Sequence, residues 1–185
     1  MGWIFYDAKH YTERGKVDRK AECDSHYTWE DETYKTEVVK SAMKGRVYYA
    51  AICQTDKQTG KTVICGNVTL TSSERGGFNF GYKGMSENCG PCEDNCPKTI
   101  LVLLTDTENE YAKAWRERCW NNILNKKPTL ASVKIGQVIE FQYGNETIRA
   151  EKMAPAYQFK TPWYKVVGQN IYVRKNSIHN WKLVQ

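Results

Sequence analysis

Arg46-Val47-Tyr48-Tyr49-Ala50-Ala51-Ile52-Cys53 opens the stretch that decides the fold. It is rich in β-branched and aromatic residues, which fit a pleated, half-buried surface. Asp56 to Gly60 supplies turn chemistry, and Lys61 to Thr71 is again β-rich, so the two runs predict a hairpin. Gly76-Gly77 turns the chain into Phe78-Asn79-Phe80-Gly81-Tyr82, a third strand with alternating aromatics. Three consecutive strands predict an antiparallel meander.

Outward from the meander, helices appear. Upstream, Gly2-Trp3-Ile4-Phe5-Tyr6 is strand-like, and Val17 to Cys23 opens a helix with Asp18 as its cap. Thr28 to Met43 reads two ways. Thr28 with Asp31 resembles a helix start and Gly45 a stop, yet Thr36-Glu37-Val38-Val39 is equally good strand material. Downstream, Pro97 suits the first position of a short apolar helix through Ile100-Leu101-Val102-Leu103-Leu104. Thr107-Glu108-Asn109-Glu110 reads as a capping box. It starts a helix to about Leu124, with Tyr111, Trp115, Cys119 and Ile123 stacked on one face. Asn125-Lys126-Lys127-Pro128 reads as a linker, and everything beyond it is β-like. Short strands around Ile135–Phe141, Trp163–Val167, Ile171–Arg174 and Ile178–Leu183 predict a small barrel of the SH3-like kind. The expected class is α+β: an antiparallel meander with helices over residues 1–125, then a small basic β-barrel over 129–185.

The chain has 185 residues, 41% hydrophobic and 26% charged, enough to bury a real core. No apolar run approaches the roughly 20 residues of a membrane span, and the first residues lack the continuous apolar region of a secretory signal. The expected compartment is therefore the cytoplasm, with no membrane partner. Charge is uneven. Residues 126–185 hold ten Lys+Arg against three Asp+Glu, while residues 1–125 hold 17 against 18. A basic half of this size suits nucleic acid or an acidic protein surface. It interleaves Tyr157, Phe159, Trp163, Tyr164 and Tyr172 with Lys160, Lys165, Arg174 and Lys175. That pattern fits phosphate contact plus base stacking, and it fits equally a barrel core with a Lys-rich exterior.

Seven cysteines, an odd number, argue against a disulfide framework. Three of them fall in Cys89-Gly90-Pro91-Cys92-Glu93-Asp94-Asn95-Cys96. A structural zinc is one reading, because a C-x2-C step lets a tight turn place two thiolates on one tetrahedral ion. Cys23, Cys65, His10 and His26 are then candidates for the fourth ligand. A thioredoxin-like redox pair is disfavoured, since Asn88 directly precedes Cys89, a third cysteine follows, the next helix begins only at Pro97, and Glu93-Asp94 would raise thiol pKa values. Unpaired thiols packed as small apolar groups are the competing reading, and Cys53 and Cys119 fit it well. No phosphate loop, nucleophile elbow or paired-acid motif is present, so the chain reads as a binding protein rather than an enzyme.

Several stretches together carry a resemblance. They are Met1-Gly2-Trp3-Ile4-Phe5-Tyr6, Val17-Asp18-Arg19-Lys20-Ala21-Glu22-Cys23-Asp24, Lys40-Ser41-Ala42-Met43, Val47-Tyr48-Tyr49-Ala50-Ala51, Phe78-Asn79-Phe80-Gly81-Tyr82-Lys83 and Gly90-Pro91-Cys92…Cys96-Pro97-Lys98. The chain resembles, over its first ~125 residues and more loosely beyond, a family of small proteins carried by phages and conjugative elements of Gram-positive bacteria. The resemblance implies an anti-CRISPR inhibitor acting in the bacterial host cytoplasm. Such an inhibitor would bind the RNA-guided nuclease of a type II CRISPR system stoichiometrically and block loading of guide or target DNA. It also nominates Cys23 as the partner of Cys89, Cys92 and Cys96 on zinc. The rival expectation is a nucleic-acid-binding accessory protein of a mobile element, contacting DNA or RNA through Lys160, Lys165, Arg174 and Lys175.

Overall fold

A computed structural model describes residues 2–126, 129–154 and 163–184. The chain divides into two compact units, Met1–Lys126 and Lys127–Gln185.

Unit 1 is built on six antiparallel strands: β1 (Ile4–Tyr6), β2 (Trp29–Glu30), β3 (Tyr34–Lys44), β4 (Val47–Asp56), β5 (Thr62–Ser72) and β6 (Phe80–Ser86). Their order is β1-β6-β5-β4-β3-β2, so the sheet is finished at both sides by its shortest strands. The meander of β4, β5 and β6 occupies its middle, as the sequence predicts. The ambiguous stretch resolves as strand. Asp31 makes a turn, its carboxylate accepting from the Thr33 and Tyr34 amides at 2.8 and 2.7 Å, and the chain enters β3. Gly45 sits at positive φ in the two-residue turn between β3 and β4 rather than ending a helix. That conformation costs glycine little and other residues more.

Strand alternation then sorts the core onto two faces. Tyr48 and Ala50 of β4 pack with Cys23, Phe80 and Tyr82 under α1 (Arg19–His26), which Asp18 caps by accepting from Lys20 and Ala21. Tyr49 and Ala51, the intervening residues, face the other way. They pack with Cys96, Ile100, Leu101, Trp115 and Cys119 of α2 (Lys98–Leu101), α3 (Glu110–Leu124) and the loop before them. Two local expectations are corrected here. The apolar helix stops at Leu101 because Thr105 is drawn to the sheet, its amide bonding the Ile64 carbonyl and its hydroxyl the Ile64 amide, both at 2.9 Å. The cap of α3 is Asn109, whose side chain accepts from Ala112, so Glu110 is the first helical residue and not the far end of a capping box. The buried row of α3 is accordingly Ala112, Trp115 and Cys119, while Tyr111 is exposed.

Unit 2 holds five antiparallel strands: β7 (Val138–Tyr143), β8 (Glu146–Lys152), β9 (Trp163–Val166), β10 (Tyr172–Arg174) and β11 (His179–Leu183). Their order is β10-β9-β8-β7-β11, with a single 3-10 turn, Lys175–Ser177, before the last strand. Ile139, Phe141, Ala150 and Tyr164 form its core with Val133 and Ile178. Lys152 is buried, and its ammonium donates to the carbonyls of Leu130, Ala131 and Val133, tying that segment beneath the sheet. Among the described residues, no helix is long and apolar enough to cross a membrane.

Candidate functional site

The cysteine loop begins where β6 ends. Glu87–Cys89 forms one 3-10 turn, capped by Ser86 and closed by Gly90 at positive φ. Glu87 is fully buried. Its carboxylate takes both Nε and a terminal nitrogen of Arg116 at 2.7 Å, and the Gly66 amide at 2.8 Å. That amide lies on β5 beyond the end of β6, so Glu87 satisfies a donor that no strand reaches.

From Pro91 onward the loop is pinned by its carbonyls. Arg118 donates to Pro91 O at 2.8 Å, Trp115 Nε1 to Glu93 O at 2.9 Å, Asn122 to Asp94 O at 3.2 Å and Lys44 to Asn95 O. Three of those four donors stand on successive turns of α3. The segment is therefore bound along the helix by side chains.

The thiols are distributed by this packing. Cys89 and Cys92 are exposed. Cys96 is buried beside Cys119, and burial pushes both thiols up, Cys119 to about 11. Cys23 lies on the opposite face of the sheet, against Tyr48 and Phe80. There, burial and then the Asp24 and Glu22 carboxylates push it up to about 12. Cys96 packs on Tyr49 and Cys23 on Tyr48, consecutive residues pointing to opposite faces. Cys96 and Cys23 are thus on opposite faces of the sheet. Among the described residues, no three His, Cys, Asp or Glu groups converge as metal ligands. Buried thiols held protonated are also poor nucleophiles.

Unit 2 does assemble part of its predicted set. Tyr172 pairs with Lys165 and Arg174 with Trp163 across β9 and β10, so all four share one face of the sheet. The Arg174 guanidinium lies 5.2 Å from the Trp163 ring centroid, a cation–π arrangement. Lys175 follows directly in the 3-10 turn. Lys160, Tyr157 and Phe159 lie outside the described residues. The same face continues through Arg149 and Glu140, which are cross-strand partners on β8 and β7. Glu140 is bonded by Arg149 at 3.0 Å and Lys182 at 2.8 Å, and these two cations, Lys182 foremost, hold its carboxyl below the usual range. A pocket on this unit is bordered by Arg149, Trp163, Tyr172, Arg174, Ile171 and Tyr143.

Sequence reading named Lys165, Arg174 and Trp163 but missed Arg149, Tyr143 and Lys182. Arg149 is legible from the alternation Thr147/Arg149/Glu151 and Lys182 from its pairing with Glu140, both only once strand partners are known, whereas Tyr143 shares the parity of core-facing Ile139 and Phe141 and carried no such signal. Comparison with protein-family models, with curated proteins and with solved structures gives no match for this chain.

Proposed function

We propose that this protein acts by binding, and that the outer face of unit 2 is its polyanion-contacting surface, with nucleic acid as the partner. The observation that carries the reading is the cross-strand square of Trp163, Lys165, Tyr172 and Arg174, extended by Lys175 and Arg149. Cations beside aromatic rings on one exposed face match the needs of a phosphate backbone and its bases together. Supporting it is the charge of residues 126–185, ten cations against three anions. The strand order, in which the last strand returns across a 3-10 turn to pair with the first, supports reading unit 2 as SH3-like.

Fluorescence anisotropy with a labelled oligonucleotide tests this. Binding by the full chain should weaken as salt rises, with a log–log slope of about −2 to −3 for three phosphate contacts. A slope near zero, or no binding at low salt, removes the reading.

The RNA-guided nuclease of a type II CRISPR system is the proposed protein partner on the sequence resemblance alone. A reconstituted cleavage reaction with nuclease, guide and target DNA tests it, and undiminished cleavage at stoichiometric excess of this protein ends it. Zinc stays a proposal, with Cys89 and Cys92, the two exposed thiols of the C-x2-C step, as two of the four ligands it would need. Elemental analysis after chelator-free purification decides it, with Cys92→Ser expected to abolish any bound metal.

A further inference from the structure

The outer face of unit 2 offers more aromatic and aliphatic surface than phosphate contact can use. Tyr143 is 57% exposed, Ile171 54% and Tyr172 47%, and all three border the pocket that Arg149 and Arg174 also line. Tyr172 stands directly opposite Lys165 and two residues from Arg174, on an edge strand. Arg174 already covers one ring, that of Trp163, so Tyr172 is the open ring of the β9–β10 pair, with Lys165 opposite it.

Two anionic side chains also line this pocket, Glu140 and Glu146. Glu140 is neutralised by Arg149 and Lys182, which leaves Glu146 at the rim. Glu151 also stands opposite Lys165 on this face, so the count is Arg149, Lys165, Arg174, Lys175 and Lys182 against Glu140, Glu146 and Glu151, still positive.

A duplex puts phosphates outward and keeps its bases stacked on one another, so exposed tyrosines on a basic sheet face gain nothing from it. Unpaired bases do reward such rings, because each base has a π-face to lay against tyrosine. Resting on the nucleic-acid reading above, we infer that unit 2 holds single-stranded nucleic acid, with Tyr172 as a stacking platform and Lys165, Arg174 and Lys175 following the backbone.

The experiment compares a labelled oligothymidylate of about 20 nucleotides, a duplex of the same length and a proline-rich peptide as probes of the full chain. The expected result is single-strand binding at least about tenfold tighter than duplex binding. Tyr172→Ala should weaken the single strand by about tenfold and leave the duplex nearly unchanged, Tyr172→Phe should restore it, and Lys165→Ala should weaken both alike. Equal or tighter duplex binding, or a Tyr172→Ala loss shared by both probes, overturns the single-strand inference and leaves the nucleic-acid reading standing. Binding of the peptide with neither oligonucleotide bound overturns both.

Discussion

Glu87 does several jobs with one carboxylate. It ends the edge of β5 at Gly66, receives the Arg116 fork and starts the turn that leads to Cys89. Removing one member of a buried ion pair strands the other, a loss of about 3 to 5 kcal/mol. Glu87→Gln keeps the shape and loses the charge, so urea denaturation should show a stability loss of about 3 kcal/mol. Nothing in Ser86-Glu87-Asn88 announces this, because Arg116 lies 29 positions away and the pair is made by packing. His26 gives a second test at this scale. Its ring lies 4.4 Å from that of Tyr82, and burial holds its pKa below the ordinary 6.5. The unfolded chain therefore takes up the proton first as pH falls. The His26 contribution is fully present above about pH 6.5 and is lost as pH drops through the lowered folded value. The urea midpoint should fall from about pH 7.5 to about pH 5.5, and His26→Gln should flatten part of that fall.

Among the elements, the loop of Cys89 to Cys96 is the one whose meaning changed most between sequence and structure. Three thiols in eight residues point to metal chemistry, yet four side-chain donors hold the loop's carbonyls. Those donors are ordinary members of α3 and the end of β3, and no local pattern marks them. Replacing Arg118 and Asn122 together with Ala should free the Pro91 and Asp94 carbonyls. The expected loss is about 1 to 2 kcal/mol, with faster proteolysis within residues 89–96 than in the parent protein. The meander, the Asp18 cap and the existence of α3 were legible, because each rests on residues adjacent in the chain. The start of α3 and the end of α2 were not, because Asn109 took the cap of α3 and Thr105 left the helical pattern to bond Ile64 of β5. Likewise Thr28 to Met43 became strand through pairing with β4, a partner that periodicity does not name.

At the level of the whole molecule, both cores of unit 1 are built, among the described residues, from side chains within residues 2–126. A fragment of residues 1–126 should therefore unfold cooperatively by itself, with circular dichroism and a single urea transition as the check. A fragment that is already unfolded without denaturant would contradict this. The division into an α+β part and a basic β part was readable from composition and turn spacing. The proposed binding face was readable only in part, since a sheet surface is assembled from partners that lie far apart in sequence. One feature of unit 1 reaches beyond its own stability. Its sheet is bounded by strands of three and two residues, which cover Phe80–Tyr82 of β6 and Lys35–Thr36 of β3. At those covered positions a second copy of the chain has no free ladder to extend, which disfavours strand-by-strand addition there.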